Sequence, residues 1–417
     1  MQKTRITAII AEFNPLHKGH KYIIKRAKEL TDGNSILVIL SGNFTQRAEP
    51  AILEKHTRAR QAIIAGADAV VEIPATYATG NAEVFAKAAV KIACSFSHVT
   101  HLVFGTEAQD LTLLKLIAKT VVKKRREFER SMKFYLKKGI SFDNARTEVM
   151  KRLLPKIPGE VIEKTMHTPN NILAIEYLKE LVRLKTTVHP IGVQRIKTPS
   201  ASQIRAVVVS NSQHALALSS SVHDTSNQSQ IILDSYNSSF GLIPVPKRKI
   251  DIPKSADLNY LTIANFEKFA SLALFSLMTK LNEEIYNSNT ELVNLIKNLH
   301  PTTYRQLKEQ APTKRFAVSR FARLALHCTL DITKKDINFL YKNTYVPYTN
   351  LLAVKKSGDS LFATLVLNQK TPLIVRGNKI KPKQNKYYHA LKRIDEKAEL
   401  LYESVSGVKV PKKCEFV

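Results

Sequence analysis

The chain has 417 residues, 44% of them hydrophobic and 24% charged, enough for two or three packed domains of about 100–200 residues. Its 64 Lys and Arg against 35 Asp and Glu leave a formal net charge of +29, which points to a polyanionic partner, nucleic acid first. Three widely spaced cysteines, Cys94, Cys328 and Cys414, exclude a disulfide framework or zinc cluster, and no apolar run approaches the ~20 residues of a membrane span, so a cytoplasmic protein is expected.

In chain order, Ile6 to Ala11 predicts a buried parallel strand, and Asn14-Pro15 a turn that ends it. A helix follows from near Lys18, with Tyr22, Ile23, Ala27 and Leu30 at helical spacing and Asp32-Gly33-Asn34 as its stop. His17 and His20 thus stand at a helix N-terminus, where free N–H groups and the positive end of the dipole favour a phosphate. Gly19 removes a side chain from the backbone's approach. Donors so placed stabilise the charge that grows on phosphate oxygens during attack at an α-phosphate. Two surface histidines at a helix start are the plainer alternative, and the preceding strand and turn weigh against it.

Ile36 to Leu40, Ala69 to Ile73 and His101 to Phe104 alternate with helical stretches, which predicts an α/β doubly wound sheet with ligands at the carboxyl ends of its strands. Ser41, Gly42, Asn43, Gln46 and Arg47 form a candidate substrate-facing loop after the second strand; the alternative is a loop that Asn43 and Gln46 hold together. Gly105 closes the next strand, either as a bare surface for a nucleotide or as a simple turn. The basic run within residues 121–138 has helical pattern and is expected to be a solvated face, with Ser141 capping the next helix. Asn170 is expected to cap a further helix, and Asn170 or Asn171 to reach adenine or ribose edges. A strand over Thr187 to Val193 leads to Arg195, and then Ser202 and Arg205 near a helix start form a second phosphate cradle.

Residues 210–239 are rich in Ser, Asn, Gln and His and are expected to be a polar connection, dividing the chain into 1–240 and a basic, mainly helical 241–417. In the second part, Phe266 to Met278 and Glu284 to Leu299 have helical pattern. Lys314, Arg315, Arg320 and Arg323 interleave with Phe316 and Phe321, either to grip phosphates while a ring stacks on a base or as a wet face over two core rings. Lysines in the tail add a diffuse electrostatic track for RNA.

The segments Glu12 to His20, Ser41 to Ile52, Gly66 to Pro74 and Phe104 to Glu107, in this order, resemble the H-x-G-H nucleotidyltransferases and, within them, the bacterial tRNA(Met) cytidine acetate ligase family. The stretches 139–146, 169–177, 199–205 and 313–320 extend the resemblance. It implies a Rossmann-like nucleotidyltransferase domain followed by a tRNA-binding part. By resemblance ATP is held by Ile10, Ala11, Glu12, Phe13, Asn14, Pro15, Leu16, His17, Lys18, Gly19, His20, Lys21, Tyr22, Ile23, Gly105, Asn170, Asn171, Arg195, Ser202 and Arg205. His17, His20 and Lys18 would act on its phosphates, and Lys314, Arg315, Arg320 and Arg323 on RNA. The implied reaction forms acetyl-adenylate from acetate and ATP, with Mg2+ as the counter-ion of ATP and no metal ligands identified in the chain. The acetyl group then passes to the wobble cytidine of elongator tRNA(Met). Two departures stand out: Ala48 where the family has glycine, and no G-Y-H-D loop between Arg195 and Ser200. The rival expectations are a coenzyme-type nucleotidyltransferase and a non-catalytic RNA-binding protein on the same scaffold.

Overall fold

The computed structural model describes residues 5–208, 260–313, 316–356, 359–367, 369–375 and 386–417. The expected polar connection and the boundary at 240, Lys314, Arg315 and the tail lysines Lys379, Lys381 and Lys383 lie outside the described residues.

Five parallel strands, β1 (Ile6–Ala11), β2 (Ser35–Ser41), β3 (Ala69–Ile73), β4 (Val99–Thr106) and β5 (His189–Gln194), run in the order β5-β4-β1-β2-β3. The chain winds outward from β1 to β3 and returns to place β4 on the other side of β1. The switch point therefore lies between β1 and β4, where ligands collect in such sheets. Alternation along β1 sends Ile6, Ala8 and Ile10 into one core and Ile9 into the other. The Ile9 side is covered by α1 (Lys18–Leu30) and α2 (Lys55–Ile64), which contribute Ile24, Ala27, Ala59 and Ala62. On the Ile6 side the chain contributes α3 (Ala75–Ala78), α4 (Ala82–Ser95), α5 (Thr112–Lys123), α6 (Arg125–Lys137), α7 (Phe142–Leu153), α8 (Gly159–His167) and α9 (Pro169–Leu184).

The C-terminal part is mostly helical, yet it shares this sheet. Here β6 (Thr349–Val354) pairs antiparallel with β3, while β7 (Leu373–Val375) and β8 (Glu415–Phe416) each pair parallel with β6. Leu340, Tyr348 and Leu391 enter the same core as Leu37 and Val90. A third core joins the helices Ile263–Lys280, Thr290–Leu299, Tyr304–Gln310, Val318–Leu330 and Lys386–Ser406 to Phe44, Ile52, Leu53 and Ile204 of the first part. The two expected parts are thus built into one another. The helical pattern expected from Glu284 begins as a helix only at Thr290: Asn287 takes left-handed angles (φ 70°), and the Asn289 side chain caps Leu292 N–H at 2.9 Å.

Candidate nucleotide site

After β1 the backbone turns sharply: Phe13 is left-handed (φ 47°) and the Asn14–Pro15 bond is cis. Buried Phe13 and Leu16 pin this loop to the core under α1. His17 is the N-cap of α1, its Nδ1 accepting the Gly19 N–H at 3.0 Å, while His20 Nδ1 faces the His17 N–H at 3.4 Å in a reciprocal capping box. The two imidazoles stack at 3.8 Å between centroids, and Phe13 packs on His20 at 4.9 Å. A neutral imidazole that accepts at Nδ1 carries its proton on Nε2, so each ring keeps one N–H donor outside the capping box. Burial, followed by the charge of Arg195, brings His17 down to about 4; burial, then His17 and Arg195, hold His20 well below the usual histidine range. Gly19 is required by packing, because a Cβ there would lie 2.9 Å from His17 Cε1 and 3.2 Å from Thr198 Oγ1.

The loops around these rings are tied together by residues that donate to or accept from main chain. Arg58, completely buried on α2, was not singled out by sequence, and it is the central tie. Its Nη1 donates to the carbonyls of Glu12 (2.6 Å) and Ser41 (3.2 Å), its Nε to Leu53 (2.9 Å) and its Nη2 to Gly42. Glu12 accepts the Gln46 N–H at 2.7 Å, Asn14 the Ile52 N–H at 2.9 Å and Asn43 the Lys55 N–H at 2.8 Å. Arg205 donates to the Asn14 carbonyl at 2.7 Å and to Ser202 Oγ at 3.1 Å, so it braces the histidine loop from behind. A Cβ on Gly42 would come within 2.6 Å of Glu72 Oε1. Glu72 is held by Lys55 Nζ at 2.8 Å and Asn350 Nδ2 at 2.7 Å, and Lys55 also bonds Glu399 at 2.6 Å. Among the described residues, Ser41 Oγ and Asn43 Nδ2 are buried with no hydrogen-bond partner.

On the β4 side, Asn171 Oδ1 accepts from Thr106 Oγ1 at 2.8 Å and from the Glu107 N–H at 3.2 Å, and Asn170 Nδ2 donates to Glu107. Neither asparagine is the cap of α9; Thr168 occupies that position with Pro169 following, and the two side chains instead set the loop after β4. A Cβ on Gly105 would sit 3.3 Å from Ile23 Cδ1, and the Arg195 N–H donates to the Thr106 carbonyl at 3.1 Å.

The structure therefore gathers the 10–23 segment, Gly105, Asn170, Asn171, Arg195, Ser202 and Arg205 around the carboxyl ends of β1, β4 and β5. Lys18, Lys21, Arg47 and Arg195 are exposed, while Gln46 and Tyr22 are half-buried. Ala48 adopts left-handed angles (φ 61°), so the backbone keeps a conformation that glycine takes freely. Phe316 and Phe321 are core rings, so neither is placed to stack on a base. Arg320 donates to the Asn287 carbonyl at 3.2 and 3.1 Å and lies over Phe316, and half-buried Arg323 is lowered to about 10 by burial. Among the described residues no group of three or more His, Cys, Asp or Glu side chains could hold a metal ion. Also among them, no helix is long and apolar enough to cross a membrane.

Two neutral imidazoles stacked over a helix N-terminus at the switch point of a parallel sheet are the arrangement of a nucleotidyltransferase with the H-x-G-H signature, and the family model described as HIGH Nucleotidyl Transferase matches residues 4–413. The tRNA(Met) cytidine acetate ligase of Clostridium kluyveri is 31% identical over 389 residues, covering 89% of this chain and 90% of that protein. The one of Halothermothrix orenii is 30% identical, covering 88% and 86%. Among solved structures, Thermotoga maritima TmcAL bound with alpha-thio ATP superposes with a TM-score of 0.78 at 25% identity, over 98% of this chain and 96% of that one. The chain belongs to the tRNA(Met) cytidine acetate ligase family.

Proposed function

We propose that the protein is an ATP-dependent ligase that activates acetate as acetyl-adenylate and transfers the acetyl group to the exocyclic amine of the wobble cytidine of elongator tRNA(Met). The observation that carries this reading is the stacked pair His17 and His20, each with Nδ1 facing a main-chain N–H, at the N-terminus of α1 in a chain of this family.

An acetate oxygen attacks the α-phosphorus of ATP and the bond to the α–β bridging oxygen breaks, releasing pyrophosphate. Charge grows on the oxygens around phosphorus and on the leaving group. Nε2–H of His17 and of His20 meets that charge without donating its proton, and Lys18, Lys21 and Arg195 add positive field. Arg58, Arg205 and Asn14 keep the loop in register, and Asn170 and Asn171 fix the Thr106-Glu107 edge where the nucleoside rests against Gly105 and Ile23. Mg2+ would accompany ATP as the counter-ion of its phosphates, and no residue of the chain is assigned to hold it. In the second step the cytidine amine attacks the acetyl carbonyl, the bond to the phosphate oxygen breaks, AMP leaves and the amine loses a proton. Residues 1–240 supply the nucleotide chemistry, the 41–47 loop faces the acyl substrate, and residues 241–417 contribute to tRNA binding.

The test is exchange of labelled pyrophosphate into ATP. Wild-type protein exchanges label when acetate is present, and His20→Ala loses at least about 100-fold of that rate while binding tRNA normally. Exchange with no carboxylate, with or without tRNA, overturns the reading.

A further inference from the structure

The strongest unassigned feature is the outer surface of α5 and α6. Between Lys115 and Lys138 the chain carries ten Lys and Arg and two Glu. Helical geometry sorts most of them into stripes. Arg126, Arg130, Lys133 and Lys137 follow one another at steps of four, three and four along α6, and Lys115, Lys119 and Lys123 at steps of four along α5; all seven are exposed. The α6 stripe spans about 16 Å at 1.5 Å per residue.

A solvated helix face is ordinarily interleaved with acids, and this protein follows that practice elsewhere. Lys25 pairs with Glu29, Arg305 with Glu309 and Lys392 with Glu396. Among the described residues, Arg125 alone on α5 and α6 has such a partner, Glu129 at 2.7 Å. None of the seven stripe cations lies in an ion pair among the described residues. Like charges four apart disfavour a helix, so these stripes cost local stability with no compensating ion pair among the described residues. Their compensation lies outside the chain, in a polyanion.

The same helix shows which polyanion. An amphipathic basic helix binds a membrane by sinking its apolar face, but Phe128, Met132, Tyr135 and Leu136 already pack against the core under the sheet. What remains outward is Phe134, 51% exposed beside Arg130 and Lys137, with Lys138 Nζ 4.3 Å from its ring centroid. A ring framed by cations along a charged track suits RNA, where phosphates meet the cations and an unpaired base stacks on the ring.

We propose that the α5–α6 surface, centred on Arg126, Arg130, Lys133, Lys137 and Phe134, is a docking surface for the ribose-phosphate backbone of the tRNA substrate, separate from the site where the nucleotide is modified. This rests on tRNA as the partner, and its test is independent of the acetate chemistry because it reads binding without turnover. The variant R126Q/R130Q/K133Q/K137Q and the single variant F134L alter exposed side chains, and thermal melting establishes that both fold. Binding of elongator tRNA(Met) transcript is followed by fluorescence anisotropy from 50 to 300 mM KCl. The quadruple variant is expected to bind at least about tenfold more weakly, with the slope of log affinity against log salt reduced by about 3, and acetate-dependent pyrophosphate exchange without tRNA unchanged. F134L is expected to lose about fivefold or more in affinity with the slope kept. Affinity within twofold of wild type and an unchanged slope in the quadruple variant overturn the proposal. So does wild-type binding to phosphatidylserine vesicles that the quadruple variant loses while its tRNA binding stays intact.

Discussion

His17 and His20 show how one residue type serves when its proton count is fixed by its surroundings. With their pKa values lowered by burial and Arg195, both stay neutral near pH 7, so the proposed phosphate recognition does not depend on their charging. The same depression has a cost in acid. His17 titrates near 4 in the folded chain and near 6.5 when unfolded, so between these values the unfolded chain binds more protons. Stability from this group is therefore intact above pH 6.5 and declines as pH falls toward 4. His17→Gln is expected to remove on the order of 1–2 kcal/mol of the loss between pH 7 and pH 5, measured by urea unfolding of both proteins at the two pH values. These histidines and Gly19 were legible in the sequence because they are contiguous and follow a strand and a turn. Arg58 was not, because its acceptors are carbonyls of Glu12, Ser41, Gly42 and Leu53, and main chain has no letter in the sequence.

Elements meet at the carboxyl ends of β1 and β2, and their angle there is set by the planar fork of Arg58. A lysine keeps the charge but offers its donors from a single point, so it cannot reach carbonyls of three loops at once. Arg58→Lys is expected to fold and to lose about 10- to 100-fold in the maximal rate of acetate-dependent exchange, with the ATP KM changed by less than about fivefold. A steady-state comparison of the two parameters checks this. Strands β1 to β5 were legible because apolar runs alternate with helical periods. The pairing of β3 with β6 joins Ala69 to Val354 across most of the chain, and β7 and β8 are only three and two residues long. Short strands whose partners are distant in sequence leave no periodic trace. The asparagines of α9 show the converse: a residue type suited to capping was placed correctly at the helix start, but Thr168 and Pro169 took the terminal positions and freed Asn170 and Asn171 to hold the β4 loop.

At the scale of the whole molecule, the composition points to an anionic partner, and residues from both sides of position 240 share cores. Removing everything after it would uncover the edge of β3 and the apolar side chains of Phe44, Ile52 and Leu53 together. A fragment of residues 1–240 is therefore expected to aggregate or to unfold without a cooperative transition, whereas the full chain melts cooperatively; expression of both, followed by gel filtration and thermal melting, makes the comparison. Polar connections mark where a chain can be long, not where its cores part.

The loop from Ser41 to Ile52 belongs to two compartments. Its Gly42 and Asn43 end is seated on Glu72, Lys55 and Arg58, while Phe44 packs on Phe269 and Tyr402, Tyr402 OH donates to the Ala51 carbonyl at 3.0 Å, and Lys308 approaches Glu49 at 3.5 Å. One short segment is thus bonded to the histidine loop through Glu12 and Asn14 and is also a wall of the helical core. If the helical part binds tRNA as proposed, thermodynamic linkage makes any traffic across such a segment two-way: whatever factor ATP adds to the affinity for RNA, RNA adds to the affinity for ATP.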